Sequence, residues 1–181
     1  MLGLKTGTVV LYPHETAWET DAAEIIRLLK AILGDVCIDA QHVGSTAVRG
    51  IAAKPIIDIA VAVRDIQDIM PFRETLAQHG IFYRKEEHGG QLLFFMGTDI
   101  RTHFIHIVQA NSSAWRNYLH LRDYLNANPY QAAEYEAVKR RLQTQFPADR
   151  AAYTEGKAET IARLLQEAAV WRAAVKGNDS D

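Results

Sequence analysis

The first half of the chain switches between two spacings of apolar residues, while the second half keeps to one. In residues 15–33 (ETAWETDAAEIIRLLKAIL), Trp18, Ala22, Ile25, Ile26 and Leu29 fall on one stripe at helical spacing, and Gly34 stops the run. Cys37 to Val43 then reads as a strand, and Pro55 to Val63 as a second. Residues 63–78 (VRDIQDIMPFRETLAQ) read as a helix despite Pro71, closed by Gly80. Two further strands, LLFFM and THFIHIV, are joined by a turn with Gly97 and Asp99, the spacing of a hairpin. From Asn111 onward the pattern is helical over about 112–127, 129–145 and 149–173, broken at NANP and FPAD.

No linker rich in proline, glycine or serine separates these halves, and no internal repeat is visible. The expectation is one α+β domain over residues 1–181: an α/β core over about 1–110, and a helical part over about 111–175 packed on it. Its sheet is small and mixed, with covering helices. The final KGNDSD has the composition of a disordered end.

Composition narrows the function classes. With 48% hydrophobic residues in 181, the chain can bury a core. A net charge of −2 argues against general nucleic-acid binding but leaves room for a local basic pocket. The single cysteine, Cys37, excludes an intramolecular disulfide, and its apolar surroundings (DVCIDA) read as a small core residue rather than a nucleophile. Without a leader pattern or a long apolar run, the expected location is the cytoplasm, away from membranes.

One residue breaks the apolar pattern where it matters. Along 56–64, Ile57, Ile59, Val61 and Val63 share the β-branched face. Ile56, Asp58, Ala60, Ala62 and Arg64 share the other. An unpaired carboxylate in a dry core costs several kcal/mol, so Asp58 must meet a cation, donors or water. It is either a structural acid or a site carboxylate on the floor of a cleft, where the two alanines leave room. Along 101–109, Thr102, Phe104, His106 and Val108 share one face, and Arg101, His103, Ile105 and Ile107 the other. His103 and His106 therefore cannot both aim at one ion from a flat strand. Arg122 interrupts the stripe Trp115, Tyr118, Leu119, Leu125, and Lys157 interrupts Tyr153, Ile161, Leu164, Ala168, Trp171. Such inward cations either pair with buried acids or hold a polyanion.

The segments HVGSTAVRGIAAKPIIDIAV, RTHFIHIV, LRDYLNANP, YEAVKRRL and YTEGKAETI, in this order over roughly residues 9 to 165, resemble the GrpB family, also called UPF0157. The resemblance implies the nucleotidyltransferase, or polymerase-β-like, fold. There a Gly-Ser turn precedes a strand bearing two acids around one apolar residue, a later strand gives a third, and two metal ions align a nucleoside triphosphate with an attacking hydroxyl. Gly44, Ser45 and Asp58 match, with twelve residues between Ser45 and Asp58.

The resemblance places the turn Gly44, Ser45, Thr46 around the nucleotide phosphates, and the inward cations Lys54, Arg122 and Lys157 are the candidates to join it. It makes Asp58 and His106 the catalytic pair and the ligands of a single Mg²⁺ or Mn²⁺. The chain departs from the pattern at Ala60, where the second acid belongs. It departs also at Phe104-Ile105-His106, where the family tends to have His-x-His, and at Arg49, where it has proline. The expectation is a protein binding a nucleotide or other phosphate ligand, weakly active or inactive in transfer. The alternatives are an active metal-dependent nucleotidyltransferase of unknown acceptor, or a folding-accessory or partner-binding domain linked to coenzyme A metabolism. Related domains occur fused to dephospho-CoA kinase.

Overall fold

The run of β-branched residues at 57–63 becomes the second strand of a five-stranded mixed sheet in the computed structural model, which describes residues 1–87 and 90–178. A short strand β1 (Leu4–Lys5) is followed by helix α1 (Ala17–Leu33), β2 (Asp39–Val43), β3 (Ile57–Val63) and a short α2 (Arg73–Gln78). Then come β4 (Ile81–Glu87), β5 (Gln91–Met96), β6 (Ile100–Arg101) and β7 (His103–Gln109). The sheet order is β2-β3-β7-β5-β4; β3 and β7 run parallel and the other neighbours antiparallel. β1 and β6 pair separately as a two-stranded ribbon.

Alternation along β3 sorts its side chains as the pattern predicts. Ile57, Ile59, Val61 and Val63 are fully buried with Trp18, Leu29, Phe94, Ile105 and Ile107, in the core between the sheet and α1. The opposite face meets the helical half: α3 (Ser113–Ala127), α4 (Pro129–Gln145), α5 (Arg150–Glu155) and α6 (Ala158–Asn178). The starts of these helices are written locally. The Ser112 hydroxyl accepts from the Trp115 amide, Pro129 opens α4, and the Asp149 carboxylate accepts from the Ala152 amide. A second cluster joins this half to the β2–β3 loop, with Val48 and Ile51 packed against Tyr124, Leu125, Tyr135, Leu164 and Ala168.

Several expected elements differ in detail. Strand β2 begins at Asp39 rather than Cys37, after a 3₁₀ turn over Gly34–Val36, and β3 begins at Ile57 rather than Pro55. Cys37 is half-buried against the main core. The helix expected over 63–78 is a 3₁₀ segment, Ile66–Phe72, followed by α2, because Pro71 cannot donate to an α-helical ladder. Strand β4 escapes the apolar pattern: Arg84, Lys85, Glu86 and Glu87 give it the charged character of a sheet edge. The helix expected over 149–173 breaks into α5 and α6 at Gly156–Lys157.

Arg101 does not share a face with His103. The strand is interrupted at Thr102, β6 pairs with β1 instead, and Arg101 turns to the side of Phe95 and Phe104. Of the tail expected to be disordered, Lys176 to Asn178 continue α6, and residues 179–181 lie outside the described residues. Among the described residues no helix is long and apolar enough to cross a membrane.

Candidate functional site

The site is assembled where three neighbouring chain segments end or begin. Strand β2 stops at Val43, directly opposite Asp58 on β3. Gly44 then turns the chain with φ 72° and ψ −170°, a conformation open essentially to glycine alone, and Ser45–Ala47 form a 3₁₀ turn. A Cβ on Gly44 would stand 2.6 Å from Oδ2 of Asp58, so the missing side chain lets the turn close directly over the carboxylate. On the other side of β3, the parallel register sets Phe104 level with Asp58 and His106 level with Ala60. All four share the face away from the main core. His106 donates from Nε2 to Oδ1 of Asp58 at 3.0 Å.

Neither member of this pair is sealed in: the Asp58 side chain is 29% exposed and that of His106 14%. The His106 ring lies 5.1 Å from that of Tyr118, and its Nδ1 is buried without a hydrogen-bond partner among the described residues. Two cavities meet at the pair. Both are lined by Ser45, Asp58, His106, Thr154 and Lys157. The larger, about 960 Å³, is lined by six cations: Lys54, Arg84, Lys85, Arg101, Arg150 and Lys157. Its three acids are Asp58, Glu87 and Glu155. The smaller, about 480 Å³, is mainly apolar, with Val48, Tyr118, Leu121, Leu125, Tyr135 and Ile161 in its wall.

These surroundings move the titration of the groups inside. Burial pushes the Asp58 carboxyl up, but the bond from His106 and the positive charges of His106, Lys54 and Lys157 outweigh it, so it stays below the usual range. Burial lowers Lys54 to about 7, helped by the charges of Arg150, Lys157 and Lys139 against the opposing pull of Asp58. Nζ of Lys54 and Nζ of Lys157 lie 4.7 and 5.0 Å from the centre of the Tyr153 ring. Lys139, almost wholly buried, donates to the Ala52 carbonyl and is likewise lowered to about 7, chiefly by burial.

Gly44, Ser45, Asp58, His106 and Lys157 are thus brought together, and Lys54 lies on the wall of the larger cavity. The Ser45 hydroxyl makes only a long 3.5 Å contact with the hydroxyl of Tyr135. Two expected phosphate-binding residues are otherwise engaged. Thr46 is buried, and its hydroxyl shares a 2.9 Å hydrogen bond with Nε2 of His42; it lines neither cavity. Arg122 lines the smaller cavity, but its guanidinium is already bonded to the Asp123 carboxylate, Oε1 of Gln41 and the His42 carbonyl at 2.8, 3.0 and 3.1 Å. The sequence pattern does not mark Arg84, Lys85, Arg101 or Arg150 as residues of a cavity. They lie on an edge strand, a two-residue strand and the first turn of a helix, where charge ordinarily means solvent.

The donor set bears on the implied metal. Among the described residues no group of three histidine, cysteine, aspartate or glutamate side chains is placed to hold an ion. Asp58 offers one free oxygen, Oδ2, and the His106 nitrogen nearest to it is spent on Oδ1. Such a set fits one ion completed by oxygens of a ligand, and does not fit a two-ion centre.

The mixed sheet, the Gly-Ser turn closing over a strand carboxylate and the helices behind them make this a nucleotidyltransferase-like fold. The Cid1 poly(U) polymerase, solved in complex with its short product ApU, superposes with a TM-score of 0.53 over 80% of this chain and 48% of that one. At 15% identity the likeness is one of fold alone. The chain belongs to the GrpB family: the family model described as GrpB protein matches residues 8–167. It is 36% identical over 173 residues to the Glutamate-rich protein GrpB of Alkalihalophilus pseudofirmus, covering 92% of this chain and 99% of that one. The crystal structure of conserved protein GrpB from Enterococcus faecalis matches with a TM-score of 0.83 at 32% identity, covering 88% of this chain and 96% of that one.

Proposed function

We propose that the cleft binds a nucleotide, with its phosphates in the larger cavity and its nucleoside in the smaller, and transfers its nucleotidyl group slowly or not at all. The observation that carries this reading is the set of six cations around the larger cavity, which opens onto the Gly44–Ser45 turn and the Asp58 carboxylate. Three acids leave that wall with an excess of positive charge, in a chain whose net charge is −2. The Tyr118 and Tyr135 rings and the aliphatic wall of the smaller cavity suit a flat base.

The limit on catalysis comes from Ala60. Two-ion transfer needs several carboxylates gathered against two divalent charges and a triphosphate, and among the described residues no such group of ligands surrounds Asp58. In this reading Oδ2 of Asp58 would be the carboxylate ligand of a single Mg²⁺ or Mn²⁺, whose charge would neutralise that of the phosphates. His106 holds Oδ1 and so fixes the carboxylate's orientation; to ligate an ion through Nε2 it would have to release that bond.

Thermal unfolding with each nucleoside triphosphate, with and without Mg²⁺ or Mn²⁺, tests binding. A ligand at about 100 times its Kd stabilises by about 2.7 kcal/mol, a readily measured shift. No shift with any of them overturns the proposal. Pyrophosphate release from the same four ribonucleoside triphosphates tests the limit on catalysis. Rapid turnover that vanishes in Asp58→Asn would put an active transferase in place of a binding protein.

A further inference from the structure

Among the described residues, the guanidinium of Arg101 is the charged group buried with donors left unpaired. The residue is 8% exposed, and its Nε and Nη1 are buried without a hydrogen-bond partner among the described residues. Among the described residues no carboxylate lies within ion-pair distance of it, nor of Arg150. Its Cζ is instead 3.7 Å from the centre of the Phe95 ring and 5.5 Å from that of Phe104, and the Cζ of Arg150 is 4.7 Å from the same Phe104 ring. Rings hold a guanidinium in place but satisfy none of its in-plane N–H groups. A buried, unpaired guanidinium destabilises a fold by its full desolvation, and a second cation beside it adds repulsion. Both line the larger cavity.

We infer that Arg101 and Arg150, gathered on the Phe104 ring, form a subsite for a terminal phosphate, either the end of a polyphosphate or a phosphate monoester. The inference rests on the proposed phosphate-binding role of the larger cavity and says where the ligand's outermost phosphate goes. Two forks of N–H donors match phosphate oxygens, and a dianion suits a two-cation subsite better than a carboxylate does. Phe104 is level with Asp58 on the neighbouring strand, and Phe95 is level with Phe104 on the strand beyond. The guanidinium of Arg101 lies nearest the Phe95 ring, on the far side of Phe104 from the carboxylate, so a ligand reaching it extends past the Asp58–His106 pair. Triphosphates should be preferred over monophosphates on this account.

Calorimetric titration of the full chain with inorganic tripolyphosphate, with a nucleoside triphosphate and monophosphate, and with citrate as the carboxylate control, tests this directly. Arg101→Met should raise the Kd of tripolyphosphate and of the triphosphate about ten-fold or more, and that of the monophosphate less. The same variant should melt higher than wild type without ligand, because an unpaired buried charge is gone and the methionine still packs on Phe95. Arg150→Met, in a less buried position, should weaken tripolyphosphate binding in the same direction. Unchanged affinities in both variants, with a lower melting temperature for Arg101→Met, would make Arg101 a support for the Phe95–Phe104 wall and sink the subsite alone. Tripolyphosphate binding that depends on Arg101, with no nucleotide bound at all, would keep the subsite and overturn the nucleotide reading. If citrate and tripolyphosphate bind alike, the subsite is not one for phosphate. If no phosphate compound binds, both readings fall.

Discussion

Gly44 and Asp58 touch so closely that a single added carbon at Gly44 would stand 2.6 Å from the Asp58 Oδ2 and 3.0 Å from its Cβ. The same glycine holds φ 72° with ψ −170°, which side chains disfavour on their own account. Gly44→Ala should therefore destabilise the fold by about 1–3 kcal/mol and push the carboxylate from its place beside His106. Urea unfolding measures the first effect. A change in the NMR chemical shifts of the His106 ring reports the second.

The depressed lysines give a pH dependence whose sign can be worked out. Lys54 and Lys139 sit at about 7 when folded, against an ordinary 10.5. Between these values the unfolded chain holds more protons, so stability rises with pH across that window. Stability from urea unfolding should increase from pH 7 toward about 9, and Lys139→Met should flatten the rise. A bound phosphate draws the Lys54 pKa back up. Binding above pH 7 should then take up protons, visible by calorimetry in buffers of different ionisation enthalpy, and should weaken as pH rises further.

Arg122 is expected to support the fold rather than the ligand. Its donors already meet Asp123, Gln41 and the His42 carbonyl, and so tie α3 to the end of β2. Arg122→Ala should cost about 1–3 kcal/mol in unfolding and leave tripolyphosphate affinity within two-fold. Loss of affinity without loss of stability would return Arg122 to the binding site.

Gly156 holds ordinary helical backbone angles, so a side chain there is limited by space rather than by backbone conformation. A Cβ at Gly156 would stand 2.5 Å from Cδ2 of Leu142 on α4 and 3.2 Å from the Ala152 carbonyl oxygen. Gly156→Ala should cost about 1–3 kcal/mol by overpacking. Combining it with Leu142→Ala should cost less than the sum of the two single changes, since the alanine would fill part of the space vacated. Additive costs would show that the two positions are independent.

Much of this protein can be read along the chain because the relevant interactions are local or periodic. Alternation alone sorts Ile57, Ile59, Val61 and Val63 from Asp58, and it sets Phe104 and His106 on one face, since strand geometry repeats every two residues whatever the fold around it. The helix-starting residues Ser112 and Asp149 work the same way, through bonds spanning a single turn. The GrpB resemblance likewise rests on contiguous motifs. What periodicity does not carry is which distant segments meet. The parallel pairing of β3 with β7 brings His106 to Asp58 across 48 positions of sequence. The interruption at Thr102 turns Arg101 into the cavity against the alternation, and Arg84 and Arg150 reach the same wall from elements whose charge reads as solvent-facing. Thr46 and Arg122 acquire partners that no local pattern announces: His42 bonds the Thr46 hydroxyl, and Gln41 bonds Arg122 on the wall of the smaller cavity. A hydrogen bond or a cavity wall is set by three-dimensional neighbours, and those follow from packing the whole chain, to which no single stretch of sequence is local.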